Sequence, residues 1–355
     1  MKKKISVIGA GNWGTTIARL IADNLNNKKE LADYDKSIFL WIHDEIVDGK
    51  NLSDIINKEK VNVKYLPDIE LQENITTTPD LKEAVEDSSI LVMVVPHQFY
   101  RHISSDISKF LSDDQKQNLI MVSLSKGIEF DEHKKQIKRL TQVFQEESGL
   151  KQDNIAALSG PNIASDVATG VTVPTVIASS SKQTQQTLYN IFNNEHFLVE
   201  LTEHVAAVEL GGALKNVVAV GAGVVEGLDG EKQDVIEKGL EEMKKFASYK
   251  ELGHVADPAV LDGPAGIGDL QVSCDKGRNR KIGVAIGKKW LNEEDFSIEE
   301  LEKEVLGGQK SQGTGTSREV HEVLVSNNLV DEFPIFNSVY EILFEKKDPR
   351  GLLGS

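Results

Sequence analysis

The first half of the chain alternates two hydrophobic rhythms. Residues 3–8 form a short apolar run that stops at glycines, which predicts a strand. Behind it Trp13, Ile17, Leu20, Ile21 and Leu25 recur near helical spacing and predict a helix over 12–25. A strand pattern follows at 37–42, then a helix and linker over 55–66, closed by Pro67. Residues 89–95 read Ser-Ile-Leu-Val-Met-Val-Val, apolar without alternation, as a strand covered on both faces requires. Stretches 119–124 and 155–158 repeat that pattern, with helical segments at 81–87 and 134–147 between strands. Two further strands, 173–179 and 197–201, complete the series. Repeated strand–helix units predict an α/β domain with a doubly wound parallel sheet. From Thr202 onward the strand pattern is gone, and helices are expected at 203–227, 234–252, 278–291, 297–306, 315–327 and 334–344. The expected organisation is an α/β domain over 1–200 and an all-helical domain over 201–355, in keeping with a length of 355 residues.

Charge narrows the partners. Lys and Arg number 40 against 56 Asp and Glu, a formal net charge of −16. Duplex nucleic acid and anionic membranes both call for a basic footprint, so neither is an expected partner. A bound anion would have to be held by local cations, since screening confines the overall repulsion to about 8 Å. The one cysteine, Cys274, rules out a disulfide within the chain. The lysines at 2–4 are followed by too short an apolar run for a signal peptide, and a membrane-spanning run is not expected. These features point to a soluble, cytoplasmic protein. The acidic stretch 293–304 reads as a solvated helix face.

Gly9-Ala10-Gly11-Asn12-Trp13-Gly14 has the G-x-G-x-x-G spacing between a predicted strand and a predicted helix, the context in which that motif binds a dinucleotide. Gly9 permits the tight turn, Gly11 lets backbone approach a pyrophosphate, and Gly14 allows close helix–strand packing. The fold expected for the first domain is therefore of the Rossmann type. Asp44 and Glu45 follow the second strand, where the ribose-binding acid is expected, delayed by an apparent insertion over 24–36. No arginine stands beside Asp44, which favours NAD over NADP. Motifs of His-Glu-x-x-His type or paired cysteines are missing, so no metal is expected.

A nicotinamide dehydrogenase needs an acid/base and anchors for its substrate. Lys215 lies in Gly211-Gly212-Ala213-Leu214-Lys215-Asn216, where small residues admit a close neighbour and the apolar run 217–220 predicts burial. Burial or a second cation would bring its pKa down from about 10.4 towards useful values. A surface lysine on a helix is the alternative from spacing alone. Ser125-Lys126-Gly127 and Ser159-Gly160-Pro161-Asn162 follow predicted parallel strands, at the edge where such sheets bind ligands. His97 follows another, although a polar turn residue is the plainer reading there. Gly263 to Gly268 reads as a glycine-rich turn before a helix that starts at Asp269. Arg278-Asn279 at a helix start suits a phosphate or carboxylate, or else a basic helix start paired with local acids. Cys274 reads as a buried small hydrophobe.

Taken in order, residues 9–14, 62–67 (Asn-Val-Lys-Tyr-Leu-Pro), 95–99 (Val-Pro-His-Gln-Phe), 125–127, 212–216, 268–270 and 277–280 resemble the NAD-dependent glycerol-3-phosphate dehydrogenases over almost the whole chain. The resemblance implies hydride transfer between NAD(H) and dihydroxyacetone phosphate or sn-glycerol 3-phosphate, with Lys215 as proton donor and acceptor. It implies Lys126 and Asp269 as its catalytic partners. It places substrate on Lys126, Gly160, Asn162, Lys215, Asn216, Asp269, Ser273, Arg278 and Asn279, where Ser273 replaces a threonine common in the family. It places the cofactor on Gly9, Ala10, Gly11, Asn12, Trp13, Gly14, His43, Asp44, Phe99, Lys126, Pro161, Ala164, Arg278, Lys310 and Gln312. A homodimer is expected as well. The rivals are a related dehydrogenase acting on a 3-hydroxy acid, and a non-catalytic NAD sensor, which would have no use for Lys215, Lys126 and Asp269 together.

Overall fold

The computed structural model describes residues 2–252 and 256–353. Met1 and residues 253–255 and 354–355, the last five within the expected helical domain, lie outside the described residues. The chain divides into two compact units. One comprises 1–125, 140–158 and 162–205, and the other 126–139, 159–161 and 206–355.

The first unit is built on an eight-stranded sheet. Its spatial order is Phe197–Thr202, Val173–Ala178, Ile155–Ser159, Ile120–Ser123, Ser88–Met93, Lys3–Ile8, Tyr34–Trp41 and Ile75–Thr78. The strand Lys3–Ile8 runs parallel to both of its neighbours, and Ser88–Met93 runs parallel to Ile120–Ser123. Val7, Val92 and Met93 are fully buried, which explains why these strands read as unbroken apolar runs. The strand order reverses between Lys3–Ile8 and Ser88–Met93, as in a doubly wound sheet. The helix Asn12–Asn27 buries Ile17, Leu20, Ile21 and Leu25 as the spacing predicts.

Two predicted helices are corrected. Over 55–66 the helix is only Leu52–Glu59. Lys60, at φ 54°, ends it, and the chain folds into the hairpin Val61–Asn62 with Leu66–Glu70. Over 134–147 the helix is Leu140–Ser148, preceded by an antiparallel hairpin of Ile128–Asp131 with Gln136–Arg139. Asp131 turns that hairpin by accepting the amides of His133 and Lys134, each at 3.1 Å. Its Ile128 and Ile137 belong to the apolar core of the second unit.

That second unit is otherwise helical and surrounds Val205–Gly227, hereafter the central helix. The central helix is long and apolar enough to cross a membrane, yet all of its most apolar stretch is buried inside the protein. Glycines let a second helix, Arg278–Leu291, touch its backbone: a Cβ on Gly227 would stand 3.0 Å from the Gly287 Cα. The expected glycine turn at 263–268 is itself helical. Pro264–Gly268 forms one wide π turn that runs directly into the helix Asp269–Lys276.

Candidate active site

The three glycines of the loop at 9–14 have three different causes. Gly9 has φ +117°, and a Cβ there would lie 2.6 Å from the Val94 carbonyl oxygen. On Gly14 a Cβ would overlap the Gly9 carbonyl. Gly11 has an ordinary φ of −68°, and a Cβ there would meet nothing within 4 Å. Folding therefore requires Gly9 and Gly14 but leaves Gly11 unexplained. Gly11 immediately precedes Asn12–Asn27, a helix whose N-terminus carries no side-chain cap. A bare backbone cradle before uncapped amides fits a pyrophosphate, so the residues present suit a dinucleotide.

Around the loop, the Trp13 ring leans on Phe197 with centroids 6.4 Å apart, and Ala164 opens the helix Ala164–Ala168. Phe99 is 54% exposed in the first turn of His97–Ser108, a helix that His97 itself starts. His43 and Asp44 lie just beyond the strand Tyr34–Trp41. Asp44 Oδ1 accepts the amides of Ser53 and Glu45 at 3.1 Å, and its Oδ2 accepts the Ser53 hydroxyl at 2.6 Å. Burial opposes its charge, but these donors prevail and hold the carboxyl below its usual range.

Sequence reasoning assigned no role to Asn62, which the structure places under the same loop. Its amide donates to the Ala10 carbonyl at 2.9 Å and to the Thr15 hydroxyl at 2.8 Å, and its Oδ1 accepts the Tyr65 amide at 3.1 Å. Asn62 is fully buried. The signal available was its place in the 62–67 motif.

The second unit holds the ionisable cluster. Asp269, 2% exposed, begins the helix that follows the π turn. Its Oδ1 accepts a short hydrogen bond from Lys215 Nζ, and its Oδ2 accepts one from Lys126 Nζ at 2.6 Å. Ser159 adds a weaker hydroxyl contact to Oδ2 at 3.3 Å, and Lys126 also reaches the Gly160 carbonyl at 3.4 Å. Lys215 donates to the Ser273 hydroxyl at 2.7 Å as well. Pro161 packs near Gly268 at the end of the π turn. The small residues before Lys215 have separate uses. A Cβ on Gly211 would stand 2.5 Å from the Ala265 carbonyl oxygen, and one on Gly212 would meet Ser159 Oγ at 2.8 Å and Lys126 Cγ at 3.4 Å.

One carboxylate thus bridges two ammonium groups, and its single charge can balance only one of them. Burial pushes the Lys215 pKa down, Asp269 opposes that, and Lys126 adds to it; together they bring it to about 7. The thiol of Cys274 is pushed up to about 12 by burial and is inert.

Arg278, exposed at the start of Arg278–Leu291, donates to Gln309 Oε1 at 2.9 Å. Asn279 is buried beside it. Its Oδ1 accepts the Ser311 hydroxyl at 2.8 Å and the Gly313 amide at 2.9 Å, so its Nδ2 is the atom that donates to Asn216 Oδ1 at 2.7 Å. One Nδ2 hydrogen remains beyond these contacts for a ligand. Lys310 pairs with Glu302 at 2.7 Å, and Gln312 opens the helix Gln312–Ser326. Asn162 belongs to the first unit, where its Oδ1 accepts the Thr175 hydroxyl at 3.0 Å and its Nδ2 contacts the Pro174 carbonyl at 3.4 Å. Among the described residues no group of three or more His, Cys, Asp or Glu could hold a metal.

Residues 4–185 match the N-terminal region, and residues 204–354 the C-terminal region, of NAD-dependent glycerol-3-phosphate dehydrogenase. The chain is 38% identical over 348 residues to the cytoplasmic NAD(+) glycerol-3-phosphate dehydrogenase of Bos taurus, covering 97% of this chain and 95% of the relative. The glycerol-3-phosphate dehydrogenase structure from Saccharomyces cerevisiae superposes with a TM-score of 0.85 at 34% identity, over 99% of this chain and 98% of that one. The structure of DsGPDH of Dunaliella salina superposes with a TM-score of 0.92 at 31% identity, over 99% of this chain and 60% of that longer one. Carrying the dinucleotide loop and the lysine-bridging carboxylate, the chain belongs to the NAD-dependent glycerol-3-phosphate dehydrogenase family and is an NAD-dependent oxidoreductase.

Proposed function

We propose that Lys215 is the acid/base at the C2 oxygen in the interconversion of dihydroxyacetone phosphate and sn-glycerol 3-phosphate. The observation that carries this reading is the bridging of Lys215 and Lys126 by the two oxygens of buried Asp269. NADH held by the loop 9–14 would supply the hydride for the C2 carbonyl carbon. As charge grows on the oxygen, Lys215 delivers its proton there, and Lys126 adds positive charge to stabilise it. In oxidation the neutral Lys215 amine removes the hydroxyl proton. Asp269 holds both lysines, and the Ser273 hydroxyl fixes the direction of the Lys215 ammonium.

Arg278, with the spare Nδ2 hydrogen of Asn279 and the neighbouring Asn216, is assigned to the substrate phosphate, a pairing suited to a guanidinium. Gly160 and Asn162 are assigned to the rest of the substrate. The cofactor is assigned to the loop 9–14, with His43, Asp44, Phe99, Lys126, Pro161, Ala164, Arg278, Lys310 and Gln312. The unit of 1–125, 140–158 and 162–205 is assigned as the NAD-binding domain, and the unit of 126–139, 159–161 and 206–355 as the substrate-binding and catalytic domain, in place of a single division at residue 200. By likeness to the bovine relative, whose name includes "cytoplasmic", the protein works in the cytoplasm. A homodimer is proposed, and sedimentation of the purified chain tests it. For the activity, NADH oxidation is followed with dihydroxyacetone phosphate and with 3-keto acids. Turnover of the phosphate ester alone supports the assignment, and turnover of the acids alone overturns it.

A further inference from the structure

Lys126 reaches Asp269 from a segment that lies outside the helical run of the second unit, and something must hold that segment in register. Lys126 is followed at once by the hairpin of Ile128–Asp131 with Gln136–Arg139, all of it within the second unit. Ile128 and Ile137 are buried in that unit's core, and the Phe130 amide donates to Glu319 Oε2 at 2.6 Å. These contacts hold the hairpin against the unit, in the same apolar cluster as Leu210 and Leu214 of the central helix, but none of them is directional towards that helix. One further contact is. Arg139 donates to Glu209 Oε2 at 2.9 Å, and the two side chains are only 15% and 4% exposed.

The spacing gives this pair its meaning. In the hairpin ladder Arg139 stands opposite Ile128, two residues beyond Lys126. On the central helix, Glu209 neighbours Gly212 and Gly212 neighbours Lys215, each three residues apart, along a row that winds slowly round the helix. Glu209 takes the hairpin, Gly212 makes room for the Lys126 stem, and Lys215 meets Asp269. A buried ion pair contributes little net stability over a well-packed apolar pair of the same volume. Its directional geometry, a guanidinium on a carboxylate, is better suited to setting register.

We propose that Arg139 and Glu209 are positioning residues for the reaction, fixing the hairpin's base so that the Lys126 ammonium lies on Asp269 beside Lys215. This rests on Lys126 acting in the reaction as proposed above. The test is single-turnover reduction of dihydroxyacetone phosphate by the full chain carrying Glu209→Gln, Lys126→Ala, or both. Glu209→Gln should slow the step by about 10- to 100-fold, the scale of a small misplacement of a catalytic group. It should leave the KM for NADH within twofold. The double variant should be no slower than Lys126→Ala alone, because Glu209 acts through Lys126. A wild-type rate in folded Glu209→Gln overturns the inference, as does an equal slowing with and without Lys126. If Glu209→Gln does not fold, the exchanged pair Arg139→Glu with Glu209→Arg decides: recovery of the rate supports positioning, and a folded but slow protein overturns it. A wild-type rate in Lys126→Ala would instead remove the role proposed for Lys126, and this inference with it.

Discussion

The loop at 9–14 and the cluster at Lys126, Lys215 and Asp269 prepare for ligands in opposite ways. The loop works by subtraction: at Gly11 a side chain is missing that the fold itself would tolerate, and the helix end behind it is uncapped. The cluster works by crowding, with two ammonium groups on one carboxylate that is 2% exposed. In the proposed roles, the first arrangement binds without titrating, and the second gains a movable proton because its charges cannot all be balanced. On that proposal binding and proton transfer rest on different physics, and substitutions should separate them.

The largest separation is expected at Lys215. Lys215→Ala should lose about 10²–10⁴-fold in turnover, the usual contribution of a general acid/base. NADH affinity should stay at the wild-type value, since the loop is untouched. A single-turnover rate within threefold of wild type would move the acid/base role elsewhere, with Lys126 the first candidate.

Arg278 comes next, because it uses binding energy remote from the reacting carbon. Arg278→Ala should lower kcat/KM for dihydroxyacetone phosphate by about 10²–10³-fold, in line with loss of a charge-assisted contact. The slow reaction with unphosphorylated dihydroxyacetone should barely change. Equal losses on the two substrates would mean that Arg278 acts through the cofactor or the fold, not through phosphate.

The glycines sharpen the other side of the comparison. Gly11→Val should weaken NADH binding at least tenfold, about 1.4 kcal/mol, with an unchanged melting temperature. Gly14→Ala should instead destabilise the protein by roughly 1–3 kcal/mol or more, because its Cβ overlaps the Gly9 carbonyl. If Gly11→Val lowers stability and spares NADH, the cradle is structural. The smallest effect is expected at Asn62. Asn62→Ala strips buried contacts from Ala10 and Thr15 and should cost about 1–3 kcal/mol of stability. It should raise the KM for NADH a few fold and leave kcat alone; an altered kcat would contradict a role confined to the loop.

The two sites also differ in how far they can be read before folding. The loop is contiguous, so its six residues, the apolar run before it and the helical spacing after it are all local signals. The cluster is assembled from residues near 126, 159, 215 and 269, and no spacing rule relates them; family resemblance brought them together, and the carboxylate bridge became visible only in three dimensions. The same limit explains the missed hairpins. At 136–139 the pattern also suits a helix, and only the burial of Ile128 and Ile137 in the second unit selects a strand pair. At 61–70 the deciding residue is Asn62, whose buried amide is polar in sequence and has a partner only through the fold. The π turn at 264–268 reads as a loop because its glycines lower helix propensity, while close packing against Leu261 calls for Gly266.

The most direct test of the account is the pH dependence of single-turnover rates in both directions. Lys215 has its pKa lowered from 10.5 to about 7, so it is protonated below that pH and neutral above it. Reduction of dihydroxyacetone phosphate needs the ammonium and should fall as pH rises through about 7; oxidation of sn-glycerol 3-phosphate needs the amine and should rise through the same pH. Lys126→Ala removes a repelling charge and should move both limbs to higher pH. Mirror-image limbs that shift together in Lys126→Ala are the predicted result. Rates that are flat near neutrality, or limbs that keep their place without Lys126, would contradict a proton held by Lys215 between two competing charges.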